Sequence, residues 1–96
     1  MSVRVTLNCQ VVPERFEMLS RFLEDNLPNV RGFKGNMQVS VLFDDKNHEM
    51  LLDEEWLSVE SHQSYLKFIE GNGVLEKLGN FLKVPPQIKY FKRLEI

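Results

Sequence analysis

A chain of 96 residues that is 43% hydrophobic and 27% charged has the make-up of one small globular domain and argues against disorder. The net charge of -2, with no Lys/Arg stripe interleaved with aromatics, excludes the usual footprint of a nucleic-acid binder. One cysteine excludes an internal disulfide and a cysteine-only zinc site.

Val3, Val5, Leu7, Cys9 and Val11 alternate with Arg4, Thr6, Asn8 and Gln10, a period-two strand over 3–11, β1. Cys9 lies in its apolar run, as an inert buried thiol would. Pro13 and Glu14 suit a first helical turn, and Phe16, Leu19, Leu23 and Leu27 recur at helical spacing. Helix α1 is therefore expected over 13–27, stopped by Pro28-Asn29. The loop Arg31-Gly32-Phe33-Lys34-Gly35 matches no phosphate-binding glycine pattern and is read as a turn. Met37, Val39, Val41 and Phe43 place a second strand, β2, over 35–43. Asp44 to His48 forms a hairpin loop, and a third strand, β3, follows over 49–56. His48 beside Asp44, Asp45 and Glu49 belongs to a solvated loop; no metal site is assigned there.

Ser58 is the expected N-cap of a second helix, α2, which runs to the break at Gly71-Asn72-Gly73. Val59, His62, Leu66 and Ile69 share one face of it, flanked by Tyr65 and Phe68. A shorter helix, α3, is expected over 74–82, then a rigid connector at Val84-Pro85-Pro86. A last strand, β4, is read from Ile88 to Ile96. No run approaches the roughly 18 apolar residues of a membrane span or the make-up of a signal peptide, so a reducing cytoplasm is the default compartment.

The order β-α-β-β-α-β is the ferredoxin-like arrangement, an α+β fold with a four-stranded antiparallel sheet and helices on one face. The other face is left open, yet Leu42 and Leu51 point to it by alternation. A second copy packed sheet to sheet is the expected cover, with a solvated monomer as the alternative. Trp56, the only tryptophan, stands where β3 hands over to α2. With His62 and Tyr65 it puts three groups able to bind or polarise a small aromatic molecule within ten positions. Near-neutral titration makes His62 a candidate base, with a surface or core histidine as the alternative. Glu54 shares the Trp56 side of β3; it can shuttle protons with a raised pKa or hold Arg4, Lys89 or Arg93.

The Pro-Glu start of α1, the Arg31–Gly35 loop, the E-x-W-x-S-x-E-S-H run from Glu54 to His62 and the Val84-Pro85-Pro86 approach to β4 resemble the antibiotic biosynthesis monooxygenase family of dimeric α+β barrel proteins, across essentially the whole chain. The resemblance implies a cofactor-free oxygenation of a small quinol or phenol in a pocket between sheet and helices. It implies that Trp56 is a pocket wall, that Asn8 on β1 holds a substrate oxygen beside the Trp56 N–H, and that His62 takes or relays the proton; the residues themselves also allow Trp56 as a core anchor under α2 and Asn8 as a polar residue on a solvated strand edge. Leu52, Leu66, Phe68, Ile69 and Val74 would be the apolar walls, with Tyr65 lending a hydroxyl or packing. The Gly71–Gly73 break would let α3 flex over the entrance. The family's haem-degrading branch carries a histidine further along this helix, where Tyr65 and Leu66 stand here, so no haem and no other cofactor is expected. A non-catalytic binding module and a proton-transfer (isomerase-type) enzyme working through His62 and Glu54 are the competing readings.

Overall fold

The computed structural model describes residues 1–96 as β1 (Val3–Gln10), a 3-10 turn (Pro13–Arg15), α1 (Phe16–Arg31), β2 (Asn36–Asp44), β3 (Glu49–Trp56), α2 (Val59–Gly71), α3 (Val74–Gly79) and β4 (Gln87–Phe91). All four strands join one antiparallel sheet in the order β2-β3-β1-β4. This is the α+β, ferredoxin-like arrangement read from the element order. No helix is long and apolar enough to cross a membrane.

Register decides which side chains meet, because cross-strand partners share a face. Val3 pairs with Trp56, Val5 with Glu54, Leu7 with Leu52 and Cys9 with Met50. Across β2, Val39 faces Glu54 and Val41 faces Leu52. Across β4, Ile88 faces Leu7 and Tyr90 faces Val5. These residues line the side against which Leu19 and Val30 of α1, Tyr65 and Ile69 of α2 and Leu78 of α3 are buried in one cluster. Arg4, Asn8, Leu51, Asp53, Ser40 and Leu42 alternate to the other side, which no helix covers.

Three element ends differ from the periodicity. Helix α1 runs through Pro28 to Arg31. The missing proline N–H weakens that turn, but Val30 is buried in the core and Arg31 donates to the carbonyl of Val39 at 3.0 Å. Tertiary contacts thus carry the helix past its local stop. Helix α3 ends at Gly79 because the next residues turn toward β1: Leu82 bridges Val11, and the Lys83 N–H bonds the Gln10 carbonyl at 2.8 Å. Strand β4 stops at Phe91, opposite Arg4, because β1 begins at Val3 and offers almost no further ladder. Met37 leaves the β2 core face at a bulge between Asn36 and Gln38.

The loop before β2 depends on Gly35, which sits at φ +97°. A Cβ there would lie 2.6 Å from the Ser61 Cβ at the start of α2. The Gly35 carbonyl also accepts the Leu57 N–H at 2.8 Å, tying the loop to the end of β3. Ser58 caps α2 as expected, accepting the Ser61 N–H at 3.0 Å. Gly35→Ala is expected to destabilise the domain by about 2–4 kcal/mol, from the left-handed backbone plus the clash, measured by urea unfolding.

Candidate functional site

Period-two alternation sends Met50, Leu52, Glu54 and Trp56 into the core together. A carboxyl is thereby carried to the middle of an apolar layer, where Glu54 is 4% exposed. Its partner is two residues along the same strand: the Trp56 indole N–H donates to Glu54 Oε1 at 2.7 Å. No lysine or arginine joins it. Arg4, one of the cations proposed for it from sequence, lies on the opposite sheet face and pairs with Asp53 at 3.5 Å.

Helix α2 brings His62 down onto this pair. His62 Nε2 stands 3.9 Å from Glu54 Oε1, and its ring meets the indole edge-on at 5.4 Å between centroids. His62 Nδ1 is 2.8 Å from the hydroxyl of Tyr90 on β4, either group donating according to the tautomer. Tyr65 also packs on the indole, its ring centroid 5.4 Å away.

Beside Glu54 and His62 is a cavity of about 50 Å³ between sheet and helices. Its walls include Leu52, Leu66, Ile69 and Val74, and its polar lining is Glu54, His62, Tyr65 and Asn26. Asn26 of α1 escaped the sequence reading because it falls inside a helical stripe and carries no motif. Its Nδ2 donates to the Phe22 carbonyl one turn back at 2.8 Å. A shallow surface bowl of about 490 Å³ lies outside the cavity and shares Asn26, Tyr65, Ile69 and Val74 with it. Phe33 and Phe68 wall that bowl, with centroids 5.5 Å apart. The other large surface hollows lie away from the Glu54–His62 pair.

Three placements expected for the site are corrected by this geometry. Asn8 is on the uncovered sheet face, opposite Leu51, and donates to Glu49 Oε2 at 2.6 Å. Its neighbour Leu7 takes the cavity-side position, since adjacent strand residues face opposite ways. Trp56 is 0% exposed and held among His62, Tyr65 and Phe33, so the indole backs the polar pair and does not line the cavity. Its N–H is committed to Glu54. Phe68 is 55% exposed and belongs to the outer bowl, not to the inner wall.

Neither a sequence profile of a known protein family nor a curated protein matches the chain. Solved structures do match in fold. A conserved protein from Methanosarcina mazei superposes with a TM-score of 0.87 at 16% identity, over 98% of this chain and 94% of its own. A protein from Bordetella bronchiseptica, provisionally named an antibiotic biosynthesis monooxygenase, gives 0.84 at 15% identity over 97% of each chain. A monooxygenase from Streptomyces coelicolor, in complex with nanaomycin D, gives 0.81 at 12% identity over 99% and 89%. The chain has the fold of antibiotic biosynthesis monooxygenases, as its sequence resemblance implied; identities this low speak to the fold alone.

Burial reverses the ordinary order of the two titrating groups. Glu54 is pushed up from 4.5 to about 7, chiefly by desolvation, against the pull of the Trp56 hydrogen bond. Desolvation pushes His62 down from 6.5 to about 4. The same burial, assisted by the Glu54 charge, lifts the Cys9 thiol and the Tyr65 hydroxyl to about 12 each, leaving Cys9 unreactive. Folding thus favours protonated Glu54 between about pH 4.5 and 7, and that stability is lost as pH rises through the window. His62 acts with the opposite sign between about pH 4 and 6.5, gaining stability as pH rises. Glu54→Gln keeps an acceptor for the indole and removes only the first effect. Its melting temperature relative to wild type is expected to climb from pH 4.5 to 7 and then level, an advantage of about 3 kcal/mol at pH 8 by calorimetry.

Proposed function

We propose that the protein is a cofactor-independent monooxygenase that oxidises a small quinol or phenol with dioxygen in the cavity between sheet and helices. The observation that carries this reading is the Glu54–His62 pair, buried without a counter-cation at an apolar cavity wall. An electron-rich phenolate can reduce dioxygen itself, so the protein has to remove a proton and exclude water. Glu54 is the better base of the two: it is half ionised near pH 7, whereas His62 stays neutral and weakly basic. For a phenol the sum is balanced. The hydroxyl proton and one ring hydrogen leave, one oxygen atom becomes the second carbonyl of a quinone, and the other leaves as water. The Streptomyces coelicolor neighbour, a monooxygenase in complex with nanaomycin D, supports the choice of reaction.

A cavity of about 50 Å³ is smaller than the roughly 150 Å³ that holds benzene, so substrate admission requires widening. Helix α3 is the element to move. Gly73 precedes it at φ +85° with open space around its Cα, and Val74 and Leu78 of α3 line the cavity. The Phe33–Phe68 bowl is the place where an aromatic ring would first settle. A second copy covering the open sheet face completes the proposed assembly. Leu42 and Leu51 pair there, and Leu42 is 52% exposed.

One observation favours a second reading, the proton-transfer enzyme. The Trp56 N–H is committed to Glu54 and Asn8 faces away, so Tyr65 and Asn26 are the donors left for an oxyanion. Oxygen uptake with a panel of naphthols and naphthoquinols separates the two. Uptake is expected for wild type, rising with pH through about 7 as Glu54 ionises, and Glu54→Gln is expected to lose roughly 10²- to 10⁴-fold. Uptake unaffected by Glu54→Gln would remove the carboxyl from the chemistry; thermal stabilisation by the panel without uptake would leave a binding module. For the assembly, light scattering is expected to give twice the 11.3 kDa of one chain, with Leu51→Lys returning it to a monomer.

A further inference from the structure

We propose that Tyr90 is a positioning residue that, through His62, carries protons between solvent and Glu54. The inference rests on the reading of Glu54 as the group that takes the substrate's proton. A buried base must lose that proton before it works again, and Glu54 has almost no contact with water. The groups facing it from each packed element leave one way out. From β1, Cys9 holds its thiol proton far above neutral pH. On β3, Trp56 donates an indole proton that is not acidic, and Asp53 turns to the other sheet face. From β2, the facing residue is Val39. From α2, Tyr65 is held at about 12. His62 alone has a second partner in the outward direction.

That partner is Tyr90, on the edge strand β4, and it was not among the residues singled out in the sequence. Its alternation with Lys89 and Phe91 turns it to the helix side, where its ring meets His62 edge-on at 5.4 Å. It is 36% exposed, so the path ends at the surface. The chain of groups therefore runs from the cavity wall to the surface: Glu54 Oε1, 3.9 Å, His62 Nε2; His62 Nδ1, 2.8 Å, Tyr90 Oη. The first gap exceeds a hydrogen bond by about 1 Å, which a small rotation of either side chain closes.

The transfer balances. The Glu54 carboxyl gives its proton to Nε2; the Nδ1 proton passes to Tyr90 Oη as the Tyr90 hydroxyl proton passes to water. One proton has left the carboxyl and one has entered solvent. The imidazole has changed tautomer, and proton exchange with water at its two ring nitrogens, uptake at Nδ1 and release at Nε2, restores it before the next transfer. No oxidant or cofactor is involved. Phe at position 90 would keep the ring packing on His62 and remove the outer carrier.

The single tryptophan supplies a readout that needs no substrate. Because its N–H bonds Glu54, Trp56 emission reports the charge on that carboxyl. In a stopped-flow jump from about pH 5 to about pH 9, across the Glu54 value of about 7, wild type is expected to show a fluorescence step that Glu54→Gln abolishes. Tyr90→Phe and His62→Gln are expected to keep the amplitude and slow the step by roughly a hundredfold, the low end for loss of a placed proton carrier. Free imidazole is expected to restore part of the rate in Tyr90→Phe. A Tyr90→Phe step at the wild-type rate, or a wild-type step that survives Glu54→Gln, overturns the proposal. Should Tyr90→Phe unfold, the His62→Gln rate decides in the same way. Failure of the quinol panel would leave this result untouched, so the path and the oxygenase reading are tested apart.

Discussion

A hydrogen bond between two residues of the same strand, from the Trp56 indole to the Glu54 carboxyl, makes the interior of this domain possible. Residues i and i+2 of a strand share a face, so an E-x-W spacing lets the indole N–H reach back to the carboxyl. Without that donor a buried carboxyl would lack any fixed protein partner, at a cost of several kcal/mol. With it, the acid is held in place; burial keeps it protonated more readily than in water, and the indole hydrogen bond offsets part of that shift. Everything next to it is arranged around that fact. His62 has no cation to replace and is held neutral by the same dry surroundings. Gly35 leaves the room in which the loop closes over the strand end behind the indole.

The chemistry follows from which of two carriers is the stronger base under burial. In water a histidine outranks a glutamate by about two pKa units. Desolvation acts on both by disfavouring the charged form, which raises one and lowers the other. The order is inverted here, and in the reaction we propose the carboxyl is the base and the imidazole the neutral conductor. The indole serves as a fixed donor to the base and a packing surface for the imidazole. A ring that the sequence suggested as a substrate platform therefore backs the buried polar pair.

The two faces of the sheet divide the domain's tasks. The helix side holds the polar pair and the small cavity; the open side holds Arg4, Asn8, Asp53 and the Leu42–Leu51 pair. The narrow cavity and the wider bowl outside it share four residues, so only those side chains stand between them. In the proposed reaction a closed interior of this kind keeps water from a reactive anion.

Much of this was legible in the residues taken alone. The alternation of β1 and β3, the helical stripe of α2 and the Ser58 cap determine the order of elements, and with it the sheet and its one covered face. The same alternation placed Glu54 and Trp56 on one side before any coordinates. Local pattern could not say how far α1 survives Pro28 or where β4 runs out of partner, because those depend on contacts between elements far apart in the chain; the alternation of β1 did separate Asn8 from Leu7, against the placement of Asn8 that the resemblance implied. Nor could it bring Tyr90 to His62, 28 positions away. Periodicity determines which way a side chain turns; only the register of neighbouring strands and the seating of helices decide what it meets, and burial, the quantity that sets the charge of Glu54 and His62, exists only once those meetings are made.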